Sequence, residues 1–138
     1  FRPEEQRLDG LHVLLVEDNE INQEIAKELL LMEGASVDVA DNGEQALDIF
    51  ARSEEGYYQL VLMDIQMPVM DGYTATAALR SLRRDDAKTA IILAMTANVF
   101  SDDVIKAEAS GMNGHISKPF DPDRLYAMIA ASCNRKRG

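Results

Sequence analysis

Residues 11–18 read LHVLLVED, in which an almost wholly apolar run ends in two adjacent acids. A second run of this kind, AIILAM, occupies residues 90–95. Strands that are buried on both faces lose the polar alternation of half-exposed strands, which is typical of a parallel sheet covered by helices. Three further short segments fit strands of the same sheet, namely SVDVA (36–40), LVLM (60–63) and GHIS (114–117).

Longer segments with helical spacing separate these strands. In the first, Ile21, Ile25 and Leu29 stand four residues apart and form one stripe of a helix, and Gly34 suits its C-terminal cap. Five alternating βα units predict a three-layer, doubly wound α/β fold. The later helices are marked by Ala46, Leu47 and Phe50; by Asp71, Gly72, Leu79 and Leu82; by residues 101–111, with Asp102 and Asp103 in the first turn; and by Asp121, Pro122, Leu125, Met128 and Ile129.

Polar side chains close the predicted strands, at the carboxyl edge where functional residues of such sheets lie. Acids from the first and third strands, such as Asp18 and Asp64, would repel one another unless a cation lay between them. Carboxylate and carbonyl oxygens are hard ligands that suit Mg²⁺ or Mn²⁺ rather than zinc. The strand-end residues, in chain order, are Glu17, Asp18, Asp41, Asp64, Thr96 and Lys118.

The same residue types suit phosphoryl transfer. A carboxylate such as that of Asp64 can attack phosphorus and form an aspartyl phosphate. The transferring group carries negative charge on its oxygens, which a metal, a cation and hydrogen-bond donors stabilise. Lys118 and Thr96 offer an ammonium and a hydroxyl at the same edge of the sheet.

Four motifs in order, VEDNEIN (16–22), LMDIQMPVMDG (62–72), MTAN (95–98) and the Lys118-Pro119 pair, resemble the receiver domains of two-component response regulators. The resemblance covers residues 11 to about 133. It implies a flavodoxin-like (βα)5 fold whose parallel five-stranded sheet has the order 2-1-3-4-5. It also implies a cis peptide bond between Lys118 and Pro119.

The resemblance further implies a role for each site residue and Mg²⁺ as the cofactor, with Mn²⁺ as the alternative. Asp64 is expected to be the phosphoacceptor, Thr96 to bond a phosphoryl oxygen and Lys118 to pair with phosphate. The expected metal ligands are Glu17 (directly or through water), Asp18, Asp64 and the backbone carbonyl of Gln66.

His115 departs from the commonest pattern of the family, which has Tyr or Phe three residues before the lysine. In the usual switch, the threonine moves toward phosphate while that aromatic ring rotates inward. An imidazole could rotate similarly, but it can also titrate near neutral pH. We therefore expect Thr96 and His115 to relay the conformational change, with an effect of histidine at this position that the sequence leaves open.

Three functions compete at this stage. The first is a phosphoacceptor switch that receives a phosphoryl group from a phosphohistidine and hydrolyses it slowly, and that is no turnover enzyme because Asp64 is consumed. A dehalogenase-like hydrolase would need a second acid two residues after the nucleophile, where this chain has Gln66. A degenerate receiver that only binds proteins would be favoured by loss of Asp64, Asp18 or Lys118, and all three are present.

The composition of the chain limits which partners it can bind and which cellular compartment suits it. The net charge of −10 disfavours direct binding to nucleic acid. Cys133 is the only cysteine, so an internal disulfide is impossible and a reducing, cytoplasmic location fits. No apolar run reaches the roughly 18 residues of a membrane span. We expect a histidine kinase or a histidine phosphotransfer domain as the partner, and a homodimer stays open.

We predict a linker at residues 1–10, the receiver domain at 11–134 and a tail at 135–138. The chain begins with Phe1 rather than Met, which suits a receiver cut from a hybrid sensor histidine kinase. GMNGHISKPF (111–120) and VEDNEINQ (16–23) also resemble hybrid-kinase receivers. The alternative is a stand-alone, single-domain regulator.

Overall fold

Five parallel strands form one sheet in the computed structural model, which describes residues 10–65, 70–96, 105, 109–117 and 122–137. The order β2-β1-β3-β4-β5 confirms the predicted topology. The central strands β1, β3 and β4 are almost wholly buried, as their apolar runs predict. The strands are β1 (His12–Val16), β2 (Ser36–Ala40), β3 (Leu60–Asp64), β4 (Ile91–Thr96) and β5 (Gly114–Ser117).

Helices connect these strands, and one of them has no counterpart in the predictions. The short helix α4 lies just before β4, where the sequence shows no apolar periodicity. The predicted helix at 101–111 falls largely outside the described residues, although residues 105, 109 and 110 are helical. The helices are α1 (Glu20–Met32), α2 (Gly43–Arg52), α3 (Gly72–Arg80), α4 (Asp86–Thr89) and α5 (Pro122–Arg137).

Side-chain caps fix where the helices begin. Asn19, Asn42 and Asp71 each accept a hydrogen bond from a backbone N–H three residues later, at the starts of α1, α2 and α3. After α1, Gly34 adopts a φ of 95°, and the N–H of Ala35 donates to the carbonyl of Leu30. This is the glycine cap that the sequence predicts, because residues other than glycine rarely adopt such a φ.

Helices cover both faces of the sheet and bury two apolar cores. On one face, Ala26 and Leu30 of α1 pack with Leu125 and Ile129 of α5. On the other face, side chains of α2 and α3 pack against the alternate residues of the same strands. The part of the chain that the structure describes contains no helix with both the length and the apolar character of a membrane span.

The stripe that identifies α1 packs against the core only at its last residue, Leu29, which is half-buried. Ile21 is 70% exposed and Ile25 is 46% exposed, whereas Ala26 and Leu30 are buried. Met32, about two turns after Ile25 on the exposed side, is 69% exposed. The helical spacing of Ile21, Ile25 and Leu29 therefore predicted the helix correctly but not its orientation, and α1 presents apolar side chains to solvent.

Arg84 joins α2 to α4 at the amino edge of the sheet, opposite the strand-end acids. Its guanidinium contacts both carboxylate oxygens of Asp86, at 2.6 and 2.8 Å. It also donates to the carbonyls of Phe50 and Ser53 at the end of α2, at 3.0 and 2.9 Å. Asp86 accepts a further bond from the N–H of Gly56. The hydrogen bond from Arg84 holds the pKa of Asp86 below its ordinary value.

Urea unfolding tests how much the buried Arg84–Asp86 pair contributes to the free energy of unfolding. Asp86→Asn should lower it by about 1–3 kcal/mol near neutral pH, because the charge facing Arg84 is lost. Since the folded-state pKa of Asp86 is lowered, its contribution is present above the ordinary value of 3.8 and disappears as the pH falls through the folded-state pKa. Urea unfolding should therefore show a smaller gap between variant and wild type at about pH 3.

Asp48→Asn provides the matched control for that experiment. Asp48 pairs with Arg52 at 3.0 Å, but the two side chains are 57% and 80% exposed. A solvated pair of this kind contributes less than about 0.5 kcal/mol. Equal losses for the two variants would contradict a special role for the Arg84–Asp86 pair.

Candidate functional site

The register of the sheet brings the strand-end residues to one edge. Val16 of β1 is the register partner of Met63, so the next residues, Glu17 and Asp64, lie side by side. Asp64 in turn is the register partner of Met95, the residue before Thr96. Hydrogen bonds extend this order past the strands, from the N–H of Glu17 to Ala40 and from the N–H of Ile65 to Met95.

Three acids converge at this edge. Glu17, Asp18 and Asp64 each offer a carboxylate oxygen, and these oxygens lie within 4.8 Å of one another. Glu17 and Asp64 are 1% and 4% exposed, whereas Asp18 is exposed. The structure thus brings together the three predicted side-chain ligands, two of them inside the protein and one at the rim.

The arrangement has the electrostatics of a cation site. Two unit negative charges 4.8 Å apart repel by at least about 3 kcal/mol at an effective dielectric constant of about 20. Buried carboxylates are retained where they are paired, hydrogen-bonded or bound to a metal. All three donors are oxygen atoms, which fits a hard divalent cation such as Mg²⁺ and does not fit a zinc site built from Cys and His.

Two amide side chains at the start of α1 donate to Glu17, one to its carboxylate and the other to its backbone carbonyl. The Nδ2 of Asn22 donates to the Oε1 of Glu17 at 3.0 Å. The Nε2 of Gln23 donates to the backbone carbonyl of Glu17 at 2.5 Å and to the Oδ1 of Asp41 at 2.9 Å. Neither amide was predicted as a site residue, although they lie four and five residues after Asp18 in VEDNEINQ.

Gly72 allows the first turn of α3 to lie against the backbone of Asp64. A Cβ on Gly72 would collide with the Asp64 carbonyl oxygen and would stand 2.9 Å from the Cα of Ile65. The N–H of Gly72 donates to the carbonyl of Ile65 at 3.0 Å, which fixes the contact. The backbone that carries Asp64 is therefore positioned by a glycine eight residues further along the chain.

Thr96 and His115 lie on the same face of the sheet, toward α2 and α3. Ala94 belongs to the core on that face, and Thr96 follows two residues later on the same strand. Ile116 belongs to the opposite core, so its neighbour His115 lies on the face of Ala94, which is its register partner. Thr96 is buried and His115 is half-buried. Lys118, Pro119 and Gln66 lie outside the described residues, and their roles remain predictions.

The sequence model of the response regulator receiver domain matches residues 13–130 of this chain. The chain belongs to this family. The receiver is 38% identical over 147 residues to a rice (Oryza sativa subsp. japonica) protein named Probable histidine kinase 2. That match covers 96% of the receiver but only 14% of the rice protein's length.

Two solved structures are also similar to this receiver in sequence and in fold. One is the receiver domain of the sensor histidine kinase PA1611 from Pseudomonas aeruginosa, which has a magnesium ion coordinated in its active site cleft. It is 33% identical, has a TM-score of 0.81, and the match covers 91% of this receiver and 98% of that chain. The other is a co-crystal of the Saccharomyces cerevisiae histidine phosphotransfer protein Ypd1 with the receiver domain of Ssk1. It is 32% identical, has a TM-score of 0.82, and the match covers 94% and 93% of the two chains.

Family membership decides between the functions that the sequence left open. A receiver is a signalling domain of two-component phosphorelays, so the dehalogenase-like hydrolase is excluded. Degenerate receivers lose the acids of the site, whereas Glu17, Asp18 and Asp64 are all present here and lie together. The limits of the matched region, 13–130, fall inside the predicted domain of residues 11–134, whose exact ends remain a prediction.

Gly72→Ala should test the contact behind Asp64. The new methyl group would meet backbone atoms that cannot move aside, so we expect a loss of about 1–3 kcal/mol in the free energy of unfolding, measured with urea. Gly114→Ala is the matched control, because its Cβ would meet only side-chain atoms, Cδ2 of Leu93 at 3.2 Å and Sδ of Met128 at 3.9 Å. A larger loss for Gly114→Ala than for Gly72→Ala would count against the proposed contact.

Proposed function

We propose that this receiver is a phosphoacceptor switch that takes a phosphoryl group from a partner phosphohistidine onto Asp64, with Mg²⁺ bound at the adjacent acids. One observation carries the proposal. The buried carboxylate of Asp64 lies with Glu17 and Asp18 in a cluster of oxygen ligands at the carboxyl edge of the sheet. An acid that is both sheltered and next to a cation site has the surroundings that phosphoryl transfer requires.

The chain's own residues would hold the ion as follows. Asp18 and Asp64 would bind directly, Glu17 would bind directly or through water, and the backbone carbonyl of Gln66 would complete the protein ligands. Waters would fill the other positions, since Mg²⁺ usually retains several. Mn²⁺ has the same preference for oxygen and would be accepted in its place. The magnesium ion in the cleft of the PA1611 receiver supports this assignment.

The reaction forms one bond and breaks one. A carboxylate oxygen of Asp64 attacks phosphorus while the P–N bond to the donor imidazole breaks, and that imidazole keeps the electron pair and takes a proton. Bound Mg²⁺ supplies charge neutralisation for the phosphoryl oxygens. Lys118 would pair with the phosphoryl group and the hydroxyl of Thr96 would donate to one of its oxygens. Slow attack of water on phosphorus then breaks the P–O bond to Asp64, which restores the carboxylate and releases inorganic phosphate.

The conformational change caused by phosphorylation would pass from Thr96 to His115. Movement of the Thr96 hydroxyl toward the phosphoryl group vacates space on the face toward α2 and α3, where His115 also lies. Ala94, the register partner of His115, has only a methyl side chain, so an imidazole that turned inward would meet a small neighbour there. Phosphorylation would thereby change the surface beside β5.

The donor would be a histidine phosphotransfer domain or a histidine kinase. The co-crystal of Ypd1 with the Ssk1 receiver supports the first, and the rice histidine kinase that contains a similar segment supports the second. The rice relative also favours a hybrid kinase over a stand-alone regulator as the protein to which this receiver belongs. We further propose the cytoplasm as its compartment, in keeping with the single cysteine.

Acetyl phosphate and beryllofluoride test the chemistry without a partner protein. Asp64→Asn should abolish phosphorylation by acetyl phosphate and its mimicry by beryllofluoride, because the nucleophile is gone. Asp18→Ala should retain the nucleophile but lose most of its Mg²⁺ affinity, because a direct ligand is gone. Mass spectrometry reports the acyl phosphate, and calorimetric titration reports the ion.

The matched control for both variants is Asp41→Asn. Asp41 is an exposed acid at the same edge of the sheet, but it lies outside the cluster of metal-ligand oxygens. It should keep phosphorylation and Mg²⁺ binding close to wild type. Phosphorylation that survives in Asp64→Asn would reject the assignment of the acceptor.

The exposed apolar side chains at the start of α1 suit the docking of the donor. Ile21 and Ile25 lie on the first two turns of α1, next to the edge where Asp64 must be reached. Glu20 and Glu24 flank them, so a partner with an apolar centre and a basic rim would be complementary. A partner footprint on the amino edge of the sheet would reject this docking mode.

Ile21→Asp should slow phosphotransfer from a phosphorylated phosphotransfer domain by about tenfold or more, because a charge enters an apolar contact. Its phosphorylation by acetyl phosphate should stay unchanged, since a small donor needs no docking surface. Met32→Asp is the control, with almost the same exposure (69% against 70%) at the far end of the same helix. Equal slowing in the two variants would show that docking does not use the start of α1.

A further inference from the structure

The first turn of α1 contacts the ion-binding acids through one neutral side chain. Asn22 is the residue of this turn that reaches the carboxylate of Glu17, whereas its neighbour Gln23 reaches only the Glu17 carbonyl and Asp41. The two amides are adjacent in sequence and both are half-buried. Asn22 therefore contacts the carboxylate of Glu17, and Gln23 contacts the backbone of Glu17.

The N-terminal cap of α1 fixes the backbone of Asn22 independently of the contact between its side chain and Glu17. The N–H of Asn22 donates to the Oδ1 of Asn19 at 3.1 Å, and the N–H of Gln23 donates to the carbonyl of Asn19 at 2.9 Å. The backbone at Asn22 is thus held by two hydrogen bonds to Asn19. A short side chain on fixed backbone has few rotamers, so its hydrogen bond constrains the direction of the Glu17 carboxylate.

An amide meets a requirement at this position that a charged donor would not. Glu17 is 1% exposed, so its carboxylate needs hydrogen-bond donors inside the protein. A lysine or arginine would supply them, but it would also neutralise the negative charge that attracts a divalent cation. The amide of Asn22 engages Oε1 and leaves the net charge of the cluster unchanged.

We infer that Asn22 is a positioning residue for the metal site, which holds the Glu17 carboxylate in the orientation that Mg²⁺ binding requires. The inference rests on the proposed function, since it assumes that Glu17 serves the ion. Asn22 itself touches neither ion nor phosphoryl group. Its effect should therefore appear in the affinity for the ion and not in the rate of the chemistry once the ion is bound.

The experiment compares Mg²⁺ binding of the full chain and two adjacent single-residue variants. Asn22→Ala removes the amide and raises helix propensity, so α1 is retained. Groups that orient a metal ligand typically contribute 10- to 100-fold to metal affinity, and we expect Asn22→Ala to weaken Mg²⁺ binding about tenfold in calorimetric titration. Gln23→Ala, the matched control, should weaken it less than about twofold.

Two further readouts separate positioning from a merely structural role. The Mg²⁺ concentration for half-maximal phosphorylation by acetyl phosphate should rise in Asn22→Ala by the same factor as the dissociation constant. At saturating Mg²⁺ the rate should return to that of wild type. Asn22→Gln, which keeps the amide donor, should restore most of the affinity.

The outcomes distinguish this inference from the function beneath it. A wild-type chain that binds no Mg²⁺ would overturn the proposed function together with the role of Asn22. Wild-type affinity in Asn22→Ala would overturn the role of Asn22 and leave the proposed function standing. Equal weakening in Asn22→Ala and Gln23→Ala would also overturn it, because anchoring of α1 would then suffice as the cause.

Discussion

Two carboxylates buried side by side, Glu17 and Asp64, impose the main electrostatic constraint on this receiver. Their mutual repulsion would favour the unfolded chain unless the surrounding structure held them together. The sheet does so through its register, which fixes the two strand ends as neighbours. Strands buried on both faces cannot shift by one residue without turning their apolar side chains and their acids to the wrong faces. The apolar core is thus what brings these like charges together.

The two edges of the sheet divide stability and chemistry between them. At the amino edge, Arg80 and Arg84 donate to backbone carbonyls and bind the connections between helices and strands. Asp86 compensates the charge of Arg84, and the dipoles of backbone carbonyls stabilise the charge of Arg80. At the carboxyl edge, the neutral amides of Asn22 and Gln23 donate to the carboxylates of Glu17 and Asp41. Rigid connections at one edge allow the other to keep an excess of negative charge for a cation.

Much of this arrangement could be predicted from the sequence. The bounds of β2 and β5, the strand order and the meeting of the three acids are as expected, because apolar runs and strand-end residues are local signals. The buried face of α1 was not predictable from spacing alone, since EINQEIAKELLLM has apolar residues on more than one side. The helix α4 has no apolar periodicity and is held by contacts that Arg84 and Asp86 make with residues 30 or more positions earlier in the chain. The contact of Asn22 with Glu17 depends on a side-chain direction that no spacing encodes.

Ile21 and Asn22 are consecutive residues of one helical turn. The side chain of Ile21 is exposed on the proposed docking surface, whereas that of Asn22 donates to Glu17 at the proposed metal site. A displacement of that turn by a docked protein would necessarily move the amide that orients Glu17. Thermodynamic linkage makes such an effect reciprocal: if a docked partner raises the affinity for the ion by some factor, the ion raises the affinity for that partner by the same factor. The cellular concentration of free magnesium would then help to set how tightly the receiver binds its donor.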